Sequence, residues 1–412
     1  MAAPLLLVGC GGTNDSALPG GNPGLYGSPI RDTKERERMV ADATKELAKG
    51  TSAKVAEAGE AFGWRLLREV GDGENVLVSP LSIATALSMT LNGAQGETQR
   101  EMRESLGLGK LTSAQINDAS RTIGQLLVNA DPAVKLRIAN SIWAKQDATF
   151  KDTFLKTNED AYGARVERLD FGDKKSVETI NNWVKTATEG KIPNILDSIK
   201  EEDRMFLINA VYFRGTWAEP FKKDQTAEAE FTKPDGEKTK VAMMRSQDDY
   251  GYFEDKQMRA VTLPYGNGRL EMLVMLAKTK DDDFRKAMAN TPLPRNLPKQ
   301  DLIVKLPKFR VEDDFDLKEA LGKLGMKLAF TERADFSALS QEKLLISAVK
   351  HKTFMEVDEE GTEAAAVTSV GVAATSMPAE PKEFVADRPF YLALRERETG
   401  IVLFLGYIGA PR

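Results

Sequence analysis

The side chains that most often carry chemistry are scarce in this sequence. Its 412 residues include one histidine, His351, and one cysteine, Cys10. A disulfide within the chain, a Cys/His zinc cluster or a Cys/His dyad therefore cannot be built in a folded domain. A Ser-His-Asp triad would have to use His351, and no G-x-S-x-G turn accompanies it. Ser347 and Lys350 have the S-x-x-K spacing but lack the S-D-N and K-T-G partners that give it meaning. The acidic runs at 281–283 and 313–314 lack the alternation and glycine of a calcium loop and read as solvated surface. No glycine pattern follows a strand as a phosphate cradle requires. This inventory argues against an enzyme, and we assign no catalytic residue, metal or cofactor.

The elements around these residues can be read from composition and periodicity. With 42% hydrophobic and 29% charged residues, the chain can bury a large core. The net charge of −5 comes from 57 basic and 62 acidic residues spread along the chain, so no nucleic-acid footprint stands out. No stretch approaches the ~18 apolar residues of a membrane span.

Residues 1–10 resemble a shortened bacterial lipoprotein signal, because Leu7-Val8-Gly9-Cys10 is similar to a lipobox whose cysteine is lipidated. No Lys or Arg precedes the short apolar run, and the alternative is a disordered start with an incidental cysteine. On the lipobox reading the protein is extracytoplasmic, secreted or lipid-anchored; otherwise it is cytoplasmic. Residues 11–51 read as a flexible tether, from the Gly/Pro-rich run at 11–29, followed by a charged N-terminal segment.

Helical spacing starts near Ser52, with Val55, Ala58, Phe62, Leu66 and Val70, so residues 52–412 form the expected single domain. Residues 82–91, 97–106, 176–188 and 315–324 also have helical patterns. Strand-like runs occupy 137–144, 204–213, 270–276, 302–306 and 401–408. The mixture predicts an α+β fold with more than one sheet.

The run Phe384-Val385-Ala386-Asp387-Arg388-Pro389-Phe390-Tyr391-Leu392-Ala393-Leu394 resembles the serpin signature at every position. Residues 75–83, 209–217, 306–308 and 334–337 are similar to other family segments, so the resemblance runs from about residue 52 to the end. It implies a serpin fold with about three β-sheets, eight or nine helices and an exposed reactive-centre loop at about 359–383. It also implies a monomer that traps a serine protease as a suicide substrate, its cleaved loop entering the main sheet. A non-inhibitory serpin acting as a binding or storage protein is the alternative.

Glu359, Gly361, Thr362, Glu363, Ala364, Ala365 and Ala366 look like the hinge of an inhibitory loop. The residues themselves suit that role. No proline occurs from Gly361 until Pro378, so every N–H is free to join a ladder. Thr362, Ala364, Ala366 and Thr368 share one face at strand period and are all small, whereas Glu363 falls on the other face. Counting along the family pattern puts the scissile bond at Thr375-Ser376, with Ala374-Thr375 as the alternative. No Lys or Arg occurs from Gly361 to Pro381, which disfavours a trypsin-like pocket and points to an elastase-like or subtilisin-like protease. The resemblance further assigns Ser79, Pro80, Ser82, Asn209 and His351 to a shutter under the sheet. Trp217, Lys308 and Glu359 are assigned to a breach at its top.

Overall fold

The computed structural model describes residues 29–71, 73–362 and 381–412. Nine α-helices occur among them: α1 Thr33–Leu47, α2 Gly50–Val70, α3 Pro80–Leu91, α4 Gly96–Ser105, α5 Ser113–Asn129, α6 Asp152–Tyr162, α7 Lys175–Ala187, α8 Asp281–Met288 and α9 Lys318–Lys323. None of the described helices is long and apolar enough to cross a membrane.

Local signals fix several boundaries. Ser79 caps α3 by accepting the Ser82 N–H, and Pro80 stands at the first helical position, where its missing N–H costs nothing. Ten of the twelve α3 residues are buried, as expected of a helix apolar on all sides. α7 is amphipathic instead, burying Ile180, Trp183, Val184 and Ala187 on one face.

Two hydrogen-bonded strand networks make up the β structure. The first runs β10 (Phe309–Asp316), β11 (Ala348–Val357), β12 (Gly361–Thr362), β4 (Met205–Thr216), β2 (Lys135–Lys145) and β3 (Arg165–Leu169). α7 and the segment after it cover one face, packing Trp183, Ile192 and Leu196 against Trp143, Phe206, Ile208 and Ala348. α3 supports the opposite face.

The second network joins β1 (Asn75–Val78), β15 (Val402–Ile408), β14 (Phe390–Glu396), β8 (Leu270–Ala277), β7 (Met258–Tyr265), β6 (Lys238–Glu254), β9 (Lys299–Pro307) and β13 (Lys382–Val385), with β5 (Ala227–Thr232) also on β6. The expected second and third sheets are run together here by the 17-residue β6. That strand pairs with β9 as far as Gly251 and with β7 from Gly251 onward.

Two expectations need correction. The packed core begins before residue 52: within the charged N-terminal segment, α1 buries Val40, Ala43 and Leu47 in a core cluster shared with Ile123 and Leu127 of α5. Likewise, 315–316 belong to β10, where Phe315 pairs with His351, so the following helix is only α9. Edge pairing with β11 holds this Phe-x-Val-x-x-x-Phe segment extended.

Candidate functional site

A seam divides the first sheet. β11 and β4 pair directly and in parallel over only six positions, from Ala348 opposite Phe206 to Thr353 opposite Val211. Beyond that level they part, and β12 sits between them, antiparallel to both, with Thr362 opposite Val357 and Gly215, and Gly361 opposite Thr216. Gly361 and Thr362, which the resemblance assigns to a hinge, are thus already strand residues where β11 and β4 part.

A tight turn makes this entry. Asp358 Oδ1 accepts the N–H groups of Glu360 (2.9 Å) and Gly361 (3.2 Å), and Asp358 N–H donates to Gly361 O (3.0 Å). Gly361 has φ 151°, and a Cβ there would lie 2.1 Å from Gly215 O, so no other residue fits without backbone movement. Thr362 is 1% exposed and its hydroxyl lies 2.6 Å from that of Tyr265. Burial pushes the Tyr265 phenol well above its ordinary range, and the Thr362 hydrogen bond only partly opposes this.

Trp217, Lys308 and Glu359, which the resemblance assigns to a breach, converge around the same turn. The Trp217 ring stacks on Tyr265, with centroids 4.3 Å apart. Its indole N–H donates to Asp358 O (3.0 Å), and its backbone N–H donates to Glu360 O (3.0 Å). Lys308 Nζ donates to Glu359 Oε2 at 2.9 Å, and Thr226 Oγ1 donates to Oε1 at 2.8 Å. Burial alone would raise the Glu359 carboxyl, but the hydrogen bonds from Lys308, its own backbone and Thr226 outweigh it and hold the group below the usual range. Thr226 and Tyr265 were not read from the sequence, because each reaches the turn from a different strand or loop; Asp358, within the turn, was also missed.

Below the turn, Ser79, Ser82, Asn209 and His351 form one buried network. His351 and Asn209 face each other across the parallel pair, so their bond crosses the seam. Ser79 N–H donates to His351 Nε2 (3.0 Å), so the ring proton sits on Nδ1 and is donated to Asn209 Oδ1 (2.6 Å). The Asn209 amide then donates to Asn140 Oδ1 (2.5 Å) and to the Ser82 hydroxyl. Asn140, opposite Asn209 on β2, is a member that sequence reasoning missed; its own amide nitrogen has no hydrogen-bond partner among the described residues. Pro80 contributes no side-chain bond and instead sets the helix start beneath the network. Burial lowers the His351 pKa to about 3, so the imidazole is neutral and poised as a structural hydrogen-bond relay rather than a base.

Asp313 is not simply solvated surface. Its carboxylate accepts Leu77 N–H (2.6 Å), tying β10 to β1, and burial raises its pKa to about 6 against the opposing pull of that bond. Thr353 completes the tie by donating to Leu77 O (3.0 Å).

Glu363, Ala364, Ala365, Ala366, Ala374, Thr375 and Ser376 lie outside the described residues, as does Cys10. After residue 380 the described residues begin again at Pro381 and enter β13, which pairs with β9.

Comparison with known proteins agrees with this architecture. The family model described as Serpin (serine protease inhibitor) matches residues 57–411. A leukocyte elastase inhibitor of Sus scrofa is 33% identical over 84% of this chain and 96% of its own length. A serpin-like protein of Thermococcus kodakarensis is 32% identical over 99% of this chain and 97% of its own. Among solved structures, the thermophilic serpin Tengpin in its native state matches with a TM-score of 0.79 and 35% identity, covering 86% of this chain and 94% of that one. Human thyroxine-binding globulin, in its thyroxine complex, matches at a TM-score of 0.77 and 28% identity, over 88% of this chain and all of that one.

Proposed function

From the premise that this chain belongs to the serpin family, we propose that it inhibits a serine protease as a suicide substrate, by drawing its cleaved loop into the β11–β4 seam. The observation that carries this reading is β12. A loop that begins as a two-residue strand between β11 and β4, with the rest of the seam closed below it, is placed to continue as a full strand once its far end is cut. The hinge side chain that enters first, Thr362, is small and buried, and the small residues at 364, 366 and 368 can follow on the same face.

The protease's serine would attack at Thr375-Ser376 or Ala374-Thr375 and form an acyl-enzyme, and insertion would then carry the enzyme away before water releases it. Small side chains at the cut favour elastase-like or subtilisin-like enzymes, and relatives named for leukocyte elastase inhibition support that choice. Extracytoplasmic placement through Cys10 completes the proposal. It predicts detergent partitioning that Cys10→Ala abolishes.

Mixing the protein with an elastase or with subtilisin should give a complex that survives SDS. Clean loop cleavage by both, without complex, would overturn inhibition. It would favour a binding or storage role, as in the relative named for thyroxine binding.

A further inference from the structure

The turn that follows α7 is wound more tightly than a connector needs. Glu189 has φ 52° and Gly190 φ 86°. Gly190 N–H donates to Lys185 O (2.7 Å) and Lys191 N–H to Thr188 O (3.0 Å). Glycine adopts such angles freely, but glutamate meets a steric penalty there. Only Asn296 shares this feature among the described non-glycine residues.

The conformation aims two side chains to opposite sides of the seam. The Glu189 carboxylate meets Lys135 (2.7 Å) and Arg137 (4.0 Å) on β2. Lys191 sets its ammonium 5.3 Å from the ring centre of Phe354 on β11, a ring that Arg310 also covers at 4.9 Å. Arg137 stands opposite Tyr212 of β4, and direct β11–β4 pairing stops one residue earlier, at Thr353 and Val211. The turn therefore bridges the sheet at the level where β11 and β4 part.

We propose that Glu189 and Lys191 form a clasp over the seam and that its release sets the rate at which a new strand enters. The proposal rests on the loop-insertion reading. Seating one strand moves β11 away from β4 by about 4.8 Å. Glu189 travels with β2 and β4, so the Lys191 ammonium is carried beyond the roughly 6 Å over which it attracts the Phe354 ring. Exposed ion pairs and cation–π contacts are each weak, so the clasp tunes entry and does not forbid it. Salt weakens both contacts.

Uptake of a synthetic peptide spanning residues 361–375 by the intact protein, followed on native gels, reads the seam without any protease. Glu189→Gln and Lys191→Met should each speed uptake several-fold, with the double variant approaching about tenfold. Lys191→Arg should keep the wild-type rate, since it retains the cation. Raising ionic strength should accelerate the wild type and leave the double variant unchanged. Wild-type rates in both single variants, a double variant that keeps the wild-type salt dependence, or an arginine variant as fast as the methionine one would overturn the clasp. A wild-type protein that takes up no peptide and forms no SDS-stable complex would instead overturn the insertion reading beneath it.

Discussion

Thr362 shows how much can rest on one small side chain. It is 1% exposed and bonded to Tyr265 beneath the stacked Trp217 ring. Arginine at this position would bring an unpaired charge into a packed sheet, at a cost of several kcal/mol. On the proposed mechanism, trapping is a race between insertion and deacylation, and each 1.4 kcal/mol added to the insertion barrier shifts that race about tenfold. Thr362→Arg should therefore be cut at the same bond but release active protease, whereas Glu363→Arg, whose side chain would fall on the other face of an inserted strand, should keep most of its complex. Gel densitometry of the two variants beside the wild type decides the matter, and an unchanged yield for Thr362→Arg would sink it. The requirement for smallness at Thr362 was legible in the sequence because strand period alone selects the face. The partner was not: Tyr265 is 97 residues away, and nothing local marks it.

The seam is where titration becomes mechanical. His351 has a folded pKa of about 3 against 6.5 unperturbed, so between those values the unfolded chain binds a proton that the folded one refuses. Stability contributed by the neutral imidazole is full above pH 6.5 and is lost as pH falls, by about 1.4 kcal/mol per unit. Asp313 acts in the opposite sense. Its carboxyl titrates at about 6 when folded, against 3.8, so it favours the folded state as pH falls from 6 to 3.8. The two effects overlap, and His351→Gln separates them. Urea midpoints followed from pH 6.5 down to pH 4 should fall more steeply for the wild type than for the variant, and parallel lines would refute the assignment.

Sequence reading reached most of this network because Ser79, Ser82, Asn209 and His351 sit in recognisable segments. It missed Asn140, which lies in a run identified only as a strand, since the partner of a strand is set by tertiary pairing rather than by its own residues. It missed α1 for a different reason. Eight of the fifteen α1 residues are charged, and three buried positions spaced three and four apart make too narrow a stripe to stand out from a solvated segment.

At the scale of the molecule, the first sheet exists in an arrangement with fewer strand pairings than it could have. A strand running the length of the seam would replace six parallel pairs with antiparallel ladders on both sides, continuing the two that β12 already begins. Cleavage anywhere within 363–380 should accordingly raise the melting temperature of the wild-type protein. Thr362→Arg, cut in the same place, should gain much less. A scanning-calorimetry trace of the cleaved wild type that matches the intact one would show that the seam does not open.

Strand pairing at the seam recognises backbone amides and small side chains, and those carry no label of origin. The loop of a neighbouring copy offers the same groups as the molecule's own. Filling one protomer's seam with the next protomer's loop is a head-to-tail contact that leaves one loop and one seam unsatisfied at the two ends, so it has no reason to stop at a dimer. The feature that would arm the protein as a trap thus also gives it a concentration limit. Crowded or warmed solutions, in which seams open more often, are where open-ended chains of intact molecules should accumulate.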